Sequence, residues 1–129
     1  MKNKTTSRLK KAIAKTAAGK KTVRLSHSHH GISPVQIEKI HMVKSEDHKV
    51  KVLVLTGKQH VWFERSGSLE NFLTLLDDKK FERVSKFYIL NWQLTLGFNQ
   101  KTQIISFTTG FSCYLEHPIK PSVFKERFL

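Results

Sequence analysis

The side chains best placed to do chemistry in this sequence are cations at turns. Basic and polar residues collect between alternating segments: Lys44 and His48–Lys49 around one turn, Arg83 to Lys86 inside the stretch FERVSKFYILNW (81–92), Lys101 in a later turn, and His117 and Lys120 near the end. Loops bearing such groups can enter a DNA groove, their tips reading base edges while flanking Lys and Arg neutralise phosphate. Lysines also gather at turns simply because turns face water, so position alone leaves both readings open.

Other chemistries find less support. His27, His29 and His30 in HSHHG have no accompanying Cys or carboxylate, so a solvated cluster is expected there and no metal site. Cys113 alternates with Phe111 and Leu115, which predicts a buried, inert thiol. As the single cysteine it cannot form an internal disulfide, which suits a reducing compartment. The acids Glu46–Asp47 and Asp77–Asp78 are sequence neighbours at turns, not a pair held across a cleft. The six glycines are scattered singly, so no phosphate-cradling loop exists. His41, His48, His60 and His117 lie far apart and could meet only through folding. The sequence offers no sign of an enzyme, and no cofactor is expected.

The elements that must position the cations follow from pattern. A length of 129 residues suits one domain with a real core. Residues 1–33 carry nine Lys or Arg and no acid, whereas 34–129 carry fourteen bases against ten acids, so most of the net +13 lies in a quarter of the chain. That asymmetry is the footprint of a tail that meets a polyanion. Leu9, Ile13 and Ala17 recur every four residues within Ser7–Lys21, but the stripe is thin, so disorder, or helix only when bound, is expected. No stretch approaches the roughly 18 apolar residues of a spanning helix. The first thirty residues lack the apolar centre of a secretory signal, although their basic, acid-free character also fits an organelle transit peptide. A cytoplasmic location is the expectation.

Pro34 marks the expected start of the domain, with 1–33 as a basic disordered tail and 34–129 folded. Strands are predicted over Ile40–Lys44, over Lys49–Thr56 with Val50, Val52 and Val54 on one face, and over Gln59–Arg65 with Val61 and Phe63 opposite Trp62 and Glu64. Ser68 caps a helix whose Leu69, Phe72, Leu73 and Leu76 share a face, with Glu70 complementing the dipole of the first turn. Residues 92–98 alternate, placing Trp92, Leu94, Leu96 and Phe98 opposite Gln93, Thr95 and Gly97. Strands at 103–107 and 111–116 follow, and Pro121 opens a last helix reaching Leu129. The layout is β-β-β-α-β-β-β-β-α, mainly β with short helices. Trp62 and most of the nine Phe fall on apolar positions, which favours core over a base-stacking platform.

From Ile37 onward the chain resembles the LytTR DNA-binding domain of bacterial transcription regulators. The resemblance rests on SLENFLTLL followed by FERVSKFYILN, in which Phe81, Arg83, Val84, Lys86, Tyr88, Ile89 and Asn91 keep the family register. It implies an antiparallel LytTR-like β fold and a regulator that binds double-stranded DNA sequence-specifically, reading successive major grooves through loop residues. Position by position, His48 and Lys49 match the first contact region, Lys86 the second, and His117 falls near the third. The sequence departs at Ser85, Phe87 and Glu116, and a His in place of Arg loses the bidentate fork that reads guanine. A stand-alone regulator is expected, with its tail as a phosphate-binding arm, a homodimer on DNA, a regulatory protein partner and no small-molecule substrate. Two rivals remain: a non-specific RNA- or nucleoid-binding basic protein, and a degenerate LytTR-like protein-interaction module.

Overall fold

The computed structural model describes residues 13–15, 21–29 and 31–128, with side chains described for 21–29 and 31–125. Its strands are β1 (Ile13–Lys15), β2 (Lys21–His27), β3 (Gly31–Gln36), β4 (Ile40–Glu46), β5 (Lys49–Thr56) and β6 (Gln59–Ser66), followed by helix α1 (Leu69–Leu76). Then come β7 (Phe81–Arg83), β8 (Tyr88–Asn91), β9 (Thr95–Asn99), β10 (Ile104–Phe107), β11 (Ser112–Tyr114) and helix α2 (Pro121–Phe128). An eight-stranded sheet runs β1-β2-β6-β5-β4-β8-β7, with β3 on the other edge of β2, and a second sheet runs β11-β10-β9. Every pairing is antiparallel.

Alternation along the central strands builds a core on each face of the large sheet. Val43, Val50, Val52, Val54 and Ile89 point toward α1, whose Leu69, Phe72, Leu75 and Leu76 are buried against them. Each such side chain removed from water contributes about 1.5–3 kcal/mol. Met42, Leu53, Tyr88 and Leu90 point the other way, onto Ile105, Phe107 and Leu115 of the small sheet region and Phe124 of α2. Ile40 and Met42 serve opposite cores because the register shifts between them, leaving His41 as the extra residue of a bulge. Helix α1 begins as its sequence indicates, with Ser68 Oγ accepting from Asn71 N–H at 3.1 Å, and ends on Asp77 in the left-handed region (φ 44°).

The domain does not start at Pro34. Residues 21–33, assigned to the tail on charge, include β2 and the first half of β3, and Val23 and Leu25 are wholly buried in the α1-side core. Pro34 lies within β3, which pairs only with β2 among the described residues, so the missing N–H falls on an edge. Within Ser7–Lys21, Ile13–Lys15 is strand rather than helix, paired with Lys21–Val23; residues 1–12 and 16–20 lie outside the described residues. The link from β3 to β4 is a single 3-10 turn, Ile37–Lys39. Four residue steps reach about 14 Å, short of the roughly 19 Å that four ladder spacings need in a flat sheet. The sheet therefore curls, and Val35, Val54 and Phe63 from three of its strands line one cavity of about 350 Å³ inside the curl.

A second correction concerns 92–98. Residues 92–94 form a turn instead of strand: Asn91 Oδ1 accepts from Gln93 N–H at 3.0 Å and the Asn91 carbonyl from Leu94 N–H at 3.1 Å. Thr95 is then buried, its hydroxyl donating to the Asn91 carbonyl at 2.8 Å, and Leu96 is 63% exposed. The Asx turn, with the register shift between Ser106 and Phe107, exchanges the sides of Thr95 and Leu96, while Trp92 and Phe98 still pack on the core as expected.

Candidate nucleic-acid interface

Four polar segments meet at one end of the molecule because of strand order. The β4–β5 turn places Asp47 and His48 at positive φ (51° and 61°), with His48 exposed at its tip. Beside it lies the bend 85–87 between β7 and β8, joined to β4 by Ser45 N–H donating to the Phe87 carbonyl at 3.0 Å. The segment after β11 docks on that bend: the His117 ring stacks on Phe87 at 3.7 Å and 12°, and His117 N–H donates to Tyr88 Oη at 3.2 Å. Leu115 N–H donates to the Gln103 carbonyl at 2.8 Å, which brings in the β9–β10 turn carrying Lys101. Asn99 Oδ1 shapes that turn by accepting from Lys101 and Thr102 N–H at 2.9 and 3.1 Å.

The cations divide by their partners. Lys86, Lys101 and Lys120 are exposed and form no ion pair among the described residues. The Lys86 ammonium lies 5.7 Å from the centre of the Phe87 ring. Lys49 pairs with Glu64 at 3.4 Å. Lys44 pairs with Glu46 at 3.3 Å while sitting 4.7 Å over the Trp62 ring, and with His117 it lines a cleft of about 100 Å³. Arg83 is a structural clamp. It pairs with Glu70 of α1 at 2.6 Å and donates to the carbonyls of Ser85 and Lys86 at 3.2 and 3.3 Å. Its fork is thereby spent on holding the bend that presents Lys86. Lys120 follows His117 by three residues, and no described contact joins it to the turns.

Sequence reasoning missed Phe87, Tyr88, Lys51 and Glu64 as members of this surroundings. Alternation could have found Lys51, which shares a side of β5 with Lys49. The partnership of Phe87 with His117, thirty residues later, had no local signal. Cys113 is half-buried instead of buried, with its thiol pKa raised by burial and partly offset by Lys44. His41 and His60 converge elsewhere. His41 Nε2 lies 2.7 Å and His60 Nε2 2.9 Å from Thr109 Oγ1, at the β10–β11 turn. No group of three or more His, Cys, Asp or Glu able to hold a metal occurs among the described residues, and no described helix is long and apolar enough to cross a membrane.

The architecture is thus a pair of antiparallel sheets with exposed cations on turns at one edge. The model of the LytTr DNA-binding domain matches residues 30–116, and the chain belongs to that family. A solved structure of the LytTr DNA-binding domain of a methyl-accepting/DNA response regulator from Bacillus cereus is similar in fold: 21% identity, TM-score 0.60, covering 81% of this chain and 91% of that one. No curated protein matches the chain significantly. The mainly antiparallel architecture with two short helices thus agrees with the family expectation.

Proposed function

We propose that the chain is a sequence-specific transcription regulator that binds double-stranded DNA through the edge formed by His48, Lys86 and His117. The observation that carries this reading is the convergence of three polar segments, distant in sequence, on one solvent-facing edge of a LytTr-family domain. In this reading His48 and Lys86 meet base edges in successive major grooves, and Lys49 and Lys101 neutralise phosphate. His117 stays part of the edge but, laid flat on Phe87, offers its ring nitrogens sideways in place of a bidentate fork. Arg83 positions the bend and makes no DNA contact of its own.

Fluorescence anisotropy on a preferred duplex tests the reading. Lys86→Ala should weaken binding by about 1–3 kcal/mol, the worth of a base-reading contact. Lys15→Ala, a change in the basic N-terminal part, should lower affinity less and equally for all sequences. Equal losses from both on that duplex would argue that Lys86 reads nothing and that the protein binds by charge alone.

A further inference from the structure

The row of side chains that begins at the edge continues across the large sheet. Strand register sets Tyr88 opposite Lys44, Lys44 opposite Lys51, Lys51 opposite Glu64, and Glu64 opposite Ser26. These five stand on the same face as Leu90, Met42, Leu53 and Trp62, two residues further along their strands. Those apolar residues lie under the small sheet, whereas Lys44, Lys51 and Glu64 keep about a third of their side-chain surface open. Lys49, one step nearer the turn, joins them, so that Lys49 and Lys51 converge on a single carboxylate oxygen, Glu64 Oε2, at 3.4 and 2.9 Å. Lys49 and Lys51 outnumber Glu64 by one ammonium, while Glu46 pairs with Lys44 and, with Asp47, also acts on Lys51. Beyond Ser26 the row reaches exposed Arg24, whose carbonyl accepts from Arg65 Nη1 at 3.1 Å.

We propose that this row is a second DNA contact, a phosphate rail on the open sheet face in which Lys49 and Lys51, oriented by Glu64, engage backbone phosphates flanking the segment read at the edge. The inference rests on the DNA-binding reading above and adds residues and a direction to it. Two features point to DNA as the occupant. The row is continuous with the edge, since its Tyr88 holds the backbone of His117. The ammoniums of Lys49 and Lys51 are complementary to phosphate, exposed Arg24 follows on β2, and from β8 to β2 the row spans roughly 19 Å, several nucleotides of one backbone. Exposed ion pairs are weak, so phosphate can replace Glu64 as the partner of either lysine at little cost. Glu64 therefore plays two opposed parts. It aligns the ammoniums and it competes with the ligand.

The test uses the full chain and two duplexes carrying the sequence it selects, one ending at the selected site and one extended by about six base pairs on each side. On the extended duplex, Lys51→Gln should bind about five-fold more weakly and its salt slope should fall by about 0.9, while Glu64→Gln should bind several-fold more tightly. Lys51→Gln should match the parent on the short duplex, and both variants should melt like the parent within a degree or two. If both variants match the parent on the extended duplex while Lys86→Ala still loses affinity, the rail is wrong and the reading edge stands. If the parent binds neither duplex, the DNA reading fails and the rail with it. Equal losses by Lys51→Gln on both duplexes would overturn the flank assignment. An acidic protein occupying the same face would show as competition by that protein with no dependence on flank length, and would likewise overturn the rail.

Discussion

Two ends of this molecule each hold a pair of histidines, and the pairs have opposite fates. At the edge, His48 is exposed on a left-handed turn and His117 lies over Phe87 at the rim of a cleft. At the far end, His41 is fully buried and its protons are dictated by its partners. The Lys39 carbonyl, 2.9 Å from Nδ1, can only accept, so Nδ1 carries the proton and Nε2 must accept. Thr109 then donates its hydroxyl to His41 Nε2 and accepts from His60 Nε2–H. The rings of His41 and His60 sit edge to face at 5.0 Å, and Phe107 and Phe111 close around them. Burial lowers the pKa of both, with the Lys39 carbonyl partly offsetting it for His41. The lesson is that residue type does not assign role. One end leaves its polar groups open to a ligand, while the other uses equivalent groups to fasten the small sheet to the large one.

Breaking the fastened end should give the largest effect. Thr109→Val removes the hydroxyl on which both imidazoles depend and leaves His41 Nε2 buried without a donor. It should cost about 1–3 kcal/mol in urea unfolding, with DNA affinity of the folded protein unchanged. A loss of DNA affinity in a variant of full stability would erase the division between the ends. Next comes Arg83→Ala at the edge. Losing the clamp on the 85–87 bend should lower DNA affinity about ten-fold, roughly 1.4 kcal/mol, while Arg83→Lys, lacking the planar fork, should rescue little of it. Rescue by Lys to parental affinity would mean that Arg83 acts only as a charge.

The smallest effect is on pH dependence. Because the folded pKa values of His41 and His60 lie below the ordinary 6.5, the unfolded chain takes up protons first as pH falls. Their contribution is present in full above about pH 6.5 and is lost as pH drops through the lowered folded values. Unfolding curves at pH 7.5 and 5.5 should show this decline in the parent and a shallower one in His41→Phe with His60→Phe. An identical decline in that double variant would place the titrating groups elsewhere.

Much of the fold was legible because alternation and capping are local. Lys49–Thr56 is a strand over the expected residues, and Ser68 caps the helix that begins at Leu69. The β2–β3 hairpin was obscured by Lys21 and Arg24 and the basic run before them, although Val23 and Leu25 alternate with Arg24 and Ser26 as a half-buried strand should. The break at 92–94 was hidden because Trp92 and Leu94 keep an alternating pattern that the Asn91 side chain overrides. At the edge, the cationic turns could be read from sequence, but their partners could not. Whether Arg83 is free or spent depends on Glu70, thirteen positions away and on a different element. The same holds for Lys49 and Glu64.

The most direct measurement is selection of duplexes from a random-sequence library by the full chain at about 150 mM salt, where diffuse electrostatics is screened within roughly 8 Å. The full chain is required, since a cut at residue 34 would remove the buried Val23 and Leu25. The account predicts an enriched motif of two short elements about one helical turn apart, weakened by Lys86→Ala. Retention of duplexes with no enriched motif, unchanged by Lys86→Ala, would contradict it and leave a basic protein that binds DNA by charge alone.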